Sequence, residues 1–175
     1  MTTLTIGRPA ADEHAEYYSR YISRVPDGDI LGILRQQITE TAAYLRAIPE
    51  SKGDFAYAPG KWSIKKAIGH MADVERVMFY RALTFARNDK TDLPGFDENQ
   101  WADDFNADDR TLADLVDELE AVRSVTIQFA KHLTDAEQAR RGKANGQAVT
   151  VRALLYIIAG HERHHVALFR ERYLV

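Results

Sequence analysis

Apolar residues recur at helical steps of three and four in four stretches of the chain. The first runs from about Asp29 to Ile48, where Ile30, Ile33, Leu34, Ile38, Ala42 and Leu45 share a stripe and Pro49 ends it. The second opens at Ser63, a good N-cap, and carries Ile64, Ala67, Met71, Val74, Met78 and Arg81 along one stripe to about Arg87. The third opens near Thr111 and repeats through Leu112, Leu115, Leu119, Val122 and Phe129 to about His132. The fourth opens at Thr150 and places Leu154, Ile157, Ile158, His161, His165, Leu168 and Phe169 on a broad face reaching about Tyr173. Arg163, Arg170 and Arg172 load its later turns with positive charge, as a helix C-terminus prefers.

The stretches between these runs, 49–62, 88–110 and 133–149, exceed the about 2–8 residues usual between neighbouring helices of a bundle. Long connections permit crossovers, so an up-down-up-down order is not required. Asn145-Gly146, inside Gln138 to Val149, predicts a two-residue hairpin turn. Thr134-Asp135-Ala136-Glu137 is a capping-box pattern and predicts one extra helical turn before it. At the other end, residues to about Pro9 read as a loose arm. Asp12 to Arg24, with Tyr17, Tyr18 and Tyr21, reads as a short surface helix ending before Pro26. The pattern predicts an all-α four-helix bundle with long crossover connections and a small β-hairpin before the last helix. It makes one domain over 1–175, with an arm and short helix over 1–28 and the bundle over 29–173.

Composition narrows the chemistry. The 175 residues suit one domain with a core of its own. There is no cysteine, which excludes disulfides, thiolate metal ligands and a Cys nucleophile. Lys and Arg number 23 against 26 Asp and Glu, a formal charge of −3, and no basic excess points to nucleic acid. The longest apolar run, Ala153 to Gly160, is far short of the about 20 residues of a spanning helix. Met1-Thr2-Thr3-Leu4 carries no secretory pattern. The expectation is a soluble cytoplasmic protein whose partners include neither nucleic acid nor membrane.

Six histidines are present, and three of them crowd the last run as Gly160-His161-Glu162-Arg163-His164-His165. Two imidazoles four apart lie on one helix face with Cβ atoms about 5–6 Å apart, close enough to share an ion. Both also fall on the apolar stripe, where an unpartnered polar ring is costly. The five residues match H-E-x-x-H, in which two histidines bind zinc and the glutamate is the general base of a protease. The extended form of that motif needs Gly at 168 and His at 171, where this chain has Leu168 and Glu171. A ferritin-like di-iron site needs two Glu-x-x-His pairs, and Glu162 with His165 makes one. A third imidazole is available from His70 on the second run. Three protein ligands with one open position is the arrangement of a catalytic metal site, and an all-imidazole set suits Zn, Ni, Cu or Fe better than Mg or Ca. His161 could pair with His164 or with His165 on spacing alone.

Tyr57-Ala58-Pro59-Gly60-Lys61-Trp62-Ser63-Ile64 leading to His70, followed by Asp73 and Glu75, and then Gly160-His161-Glu162-Arg163-His164-His165 near the end, resemble the DinB-like (YfiT-like) metalloenzyme superfamily. The resemblance covers roughly 29–173. It implies a four-helix bundle of unusual crossover topology, dimeric in many members, with a divalent transition metal held by His70, His161 and His165. Zinc or nickel come first, manganese or iron next. Lys66 departs from the acidic residue common at its position, which touches capping and not the ligands. Related families include S-transferases using low-molecular-weight thiols and proteins labelled hydrolases. The implied function is a metal-dependent enzyme of S-transferase or hydrolase type that activates water or a low-molecular-weight thiol toward a small-molecule substrate.

Around the motif, His164 reads as a flank of the ligands and Trp62 as packing at the entrance of the second helix. Asp73 and Glu75 are candidates to position a water, with solvated helix faces as the plainer account, and Glu162 is a candidate neighbour of the site. Leu93 to Trp101 reads as a long loop and a candidate pocket wall. Arg140-Arg141-Gly142-Lys143 is a small basic patch able to meet an anionic substrate. No G-x-S-x-G, G-x-x-x-x-G-K-[ST] or G-x-G-x-x-G pattern occurs, which removes the usual support for serine esterase, P-loop and Rossmann functions. The rival to an enzyme is a stress-response bundle whose metal is structural or absent; a DNA-processing enzyme is a weak third.

Overall fold

A computed structural model describes residues 5–174. Four long helices form its body: α2 (Ile30–Arg46), α3 (Ile64–Ala86), α5 (Leu112–Ala130) and α7 (Val151–Leu168). Each begins at a side-chain cap. Asp29, Ser63, Thr111 and Thr150 accept hydrogen bonds from the backbone amides of Gly32, Lys66, Asp114 and Ala153, satisfying donors that a helix start leaves free. Three short helices complete the set: α1 (Ser19–Ile22), α4 (Glu98–Asp104) and α6 (Asp135–Gln138). The expected capping box at Thr134 and Glu137 is formed in α6.

Strands β1 (Arg141–Ala144) and β2 (Gln147–Thr150) make the expected antiparallel hairpin. Asn145 and Gly146 turn it with φ of 51° and 73°, the left-handed pair that a tight hairpin turn demands. Leu93 bonds to the exposed edge of β1 through Lys143 O and the Asn145 amide, both at 2.9 Å. This pins the start of the long connection beside the hairpin.

The four helices do not pack in chain order. α3 lies against α7 and α5, and α2 lies against α5 and α7, so the consecutive helices α2 and α3 sit on a diagonal. The long connections make that crossover possible. The core forms two apolar clusters, one around α7, the start of α2 and the C-terminal half of α3, the other around the N-terminal half of α3 and α5.

Three local expectations are corrected. The tyrosine-rich stretch is not one surface helix: two 3-10 turns, Ala11–Glu13 and Glu16–Tyr18, precede α1, and Tyr21 and Ile22 are buried. Residues 1–4 of the expected loose arm lie outside the described residues, but Ile6 is fully buried and Arg8 donates to the carbonyls of Ile22 and Val25 at 2.9 and 2.6 Å, so the arm is anchored there. The long loop contains α4, capped by Asp97. α7 continues into a π-helical turn over Phe169–Tyr173. Among the described residues, no helix is long and apolar enough to cross a membrane.

Candidate metal centre

His70 sits in the second turn of α3, and His161 and His165 sit one turn apart on α7. Because α3 packs along α7, the three rings meet. His70 Nε2 lies 3.1 Å from His161 Nε2, which lies 3.2 Å from His165 Nε2. One nitrogen from each ring falls within 4.8 Å of the other two, and all three residues are buried. Ligands about 2.0–2.1 Å from a tetrahedral ion stand about 3.3 Å apart, so the spacing suits one small divalent ion.

Electrostatics favour the ligand form. Burial pushes the His70 imidazole down to about 4, and the nearby His164 adds to the effect. His161 and His165 are held well below the usual range, by burial first and by neighbouring imidazoles second. All three are therefore neutral at pH 7, with ring nitrogens able to accept an ion.

Aromatic rings set their orientation. Trp62 packs on His70 at 4.6 Å between centroids and lies nearly parallel to His165, at 6.5 Å and 19°. The Tyr173 hydroxyl donates to Trp62 O at 2.9 Å, tying the π turn to the tryptophan. Tyr21 meets His161 edge-on at 5.4 Å and His164 at 5.6 Å; burial raises its phenol's pKa. That contact depends on Gly160, since a Cβ there would stand 2.1 Å from Tyr21 O. A glycine before His161 is what lets α1 approach α7.

The histidines form part of the wall of a cavity of about 500 Å³. Val74, Met78 and Arg81 continue the His70 stripe along it, Phe96 and Glu98 come from the long connection, and Asn145 and Gln147 come from the hairpin.

The structure brings His70, His161 and His165 together and leaves His164 outside the group, half-buried on the cavity wall. Trp62 lines the cavity as well. Four sequence candidates stand apart from it. Asp73 bonds Arg76 at 3.2 Å. Trp101 is 44% exposed and packs on Phe96. Glu162 projects about 100° around the helix from His161, toward α5, where Arg123 donates to its Oε2. Glu162 is thus not the base of an H-E-x-x-H site. Glu75, no solvated residue either, accepts from Arg123 Nε and a terminal nitrogen at 2.8 and 2.9 Å and from Thr126 at 2.7 Å.

The basic patch is also committed elsewhere. Arg140 bonds Ala86 O, Arg141 bonds Asp12, and Lys143 pairs with Asp92. The cavity's buried cation is instead Arg81, which sequence reasoning placed in an apolar stripe; its step of eleven from His70, three whole turns, was the available signal.

The chain has relatives among known proteins. Residues 33–169 match the sequence profile of the DinB superfamily, and the chain belongs to that superfamily. A protein of Oceanobacillus iheyensis named "Putative metal-dependent hydrolase OB0413" is 27% identical over 115 residues, which cover 63% of this chain and 64% of that protein. The solved structure of YfiT from Bacillus subtilis, described as a probable metal-dependent hydrolase with an unusual four-helix bundle topology, superposes with a TM-score of 0.68 at 17% identity, covering 93% of this chain and 89% of that one. The likeness to YfiT is one of fold.

Proposed function

We propose that His70, His161 and His165 hold one divalent transition metal, zinc or nickel by their donor chemistry, and that the cavity is the active site of a metal-dependent enzyme of hydrolase or S-transferase type. The observation that carries this reading is the convergence of three buried, neutral imidazoles from two helices on the wall of a cavity. The ion, when bound, supplies Lewis acidity that lowers the pKa of a water or a low-molecular-weight thiol at its open position.

The chain's own residues do the rest. His70, His161 and His165 present Nε2 lone pairs in a fixed triangle. Trp62 and Tyr21 hold the rings in place and keep bulk water from their outer faces. The remaining wall is left to bind substrate. Among the described residues no carboxylate joins the three imidazoles, which favours an open site over a closed structural one. The hydrolase names of the relatives support water as the nucleophile, and the superfamily resemblance supports a thiol equally.

The test is elemental analysis of protein purified without a His tag, beside His70→Ala, His161→Ala and His165→Ala. About one ion per chain, lost in each variant while circular dichroism is unchanged, is the expected result. A wild type that takes up no zinc, nickel or manganese overturns the reading. With metal bound, release of product from ester and amide panels against consumption of a thiol separates the two reaction types.

A further inference from the structure

Arg81 is 4% exposed, yet no carboxylate of the described residues pairs with it. One terminal nitrogen donates to Pro94 O at 2.9 Å, the other lies 3.8 Å from Met78 Sδ, and the guanidinium sits 6.0 Å from the Phe96 ring. These contacts fix the side chain without neutralising it. A guanidinium carries five donors and keeps its proton, and a buried ion without a counter-charge is costly. This one lies on the wall of the cavity. Among the described residues, the other cations there, Arg20 and Lys61, are exposed and pair with no carboxylate, Arg20 stacking on Tyr17 at 3.7 Å, and Glu98 is the one acid on that wall.

We propose that the cavity takes an elongated small molecule with an anionic group, a carboxylate or another oxyanion of that size, and that Arg81 anchors this group at the end remote from the three histidines. His70, Val74, Met78 and Arg81 follow one stripe of α3, and eleven residues of helix rise about 16 Å. The Met78 contact shows the Arg81 side chain leaning back toward His70, as helical side chains do. The anion and the reacting end of the ligand are thus held apart by less than that rise, with Val74 and Met78 between them as an apolar floor. The proposed metal centre enters this inference only as the position of the reacting end. The anion anchor stands on the cavity alone.

The probes are 6-mercaptohexanoate and 6-mercaptohexanol, which share a thiol and a chain and differ at the far end. Each is titrated into cobalt-loaded protein, following thiolate-to-cobalt absorption. The acid is expected to bind at least about tenfold tighter than the alcohol, the order of a charge-assisted hydrogen bond. Arg81→Gln should weaken the acid by that factor and leave the alcohol within about twofold, and Arg81→Lys should restore part of the preference. Equal affinities in the folded wild type, or a preference that survives Arg81→Gln, overturns the proposal. The wild-type comparison needs no variant to fold. If cobalt is not taken up, the metal centre fails instead. Hexanoate against hexan-1-ol on the metal-free protein, followed by NMR shifts of the Trp62 indole, then decides the anchor alone, and no preference for the acid overturns it.

Discussion

Arg123 and Arg81 are both nearly inaccessible, at 1% and 4% exposure, and they have different partners. Arg123, on α5, is closed in by Glu75 and Glu162 and by the carbonyl of Leu34. Its charge is spent inside the fold and joins α2, α3, α5 and α7. Arg81 meets a carbonyl, a thioether and an aromatic face, and its charge stays open toward a cavity. α7 divides the two settings: Glu162 faces the closed cluster, and His161 and His165 face the cavity. A buried charge with its partners in the fold holds helices together, and one without them is arranged for something outside the chain.

The sharpest way to break this contrast is Arg123→Met. It leaves two buried carboxylates without their cation, and urea unfolding should show a loss of about 3–5 kcal/mol. Replacing Glu75 and Glu162 by leucine in the same chain should recover most of that loss; failure to recover would mean that the cluster contributes more than charge balance.

Next is Gly160→Ala, which pushes a methyl into Tyr21 O. A cost of about 1–3 kcal/mol is expected, with a loss of Tyr21 contact visible as a changed His161 environment by NMR.

The pH dependence comes third. The folded His70 is held at about 4, below its ordinary 6.5. Between these values the unfolded chain binds the proton and the folded chain does not, so stability is full above about pH 6.5 and falls as pH drops toward 4. The slope is about 1.4 kcal/mol per pH unit for each such imidazole. Urea midpoints of metal-free protein at pH 7.5 and 5.5 measure it, and His70→Ala should flatten the profile.

The smallest effect is expected at Arg81→Met. It orphans no carboxylate and gives up one bond to Pro94 O, so the metal-free protein should change by no more than about 1 kcal/mol. A loss as large as that of Arg123→Met would erase the distinction between the two arginines.

Helices were legible in the sequence because period and capping are local. Ser63, Thr111 and Thr150 mark their helix starts within a residue, and Asn145-Gly146 marks the hairpin. The pair His161 and His165 was legible for the same reason, while the choice against His164 and the arrival of His70 from 91 residues away depend on how α3 meets α7. The diagonal placement of α2 and α3, the packing of Tyr21 on His161 and the fate of Glu162 are properties of assembly, which periodicity does not encode. α4 was missed because seven residues are too few for a period. Arg81 was missed because a cation on an apolar stripe reads as core until a cavity is seen beside it.

The diagonal also has a consequence in time. Separate helices and the Asn145-Gly146 hairpin are local events of about microseconds. The cavity, by contrast, is closed by contacts between residues far apart in the chain: Tyr21 with His161, Trp62 with Tyr173, Leu93 with Lys143 of β1. Such distant closures pay their entropy before contacts repay it. In folding, the scaffold therefore precedes the chemistry, and a nascent or half-folded chain carries the histidines without yet being able to bring them together.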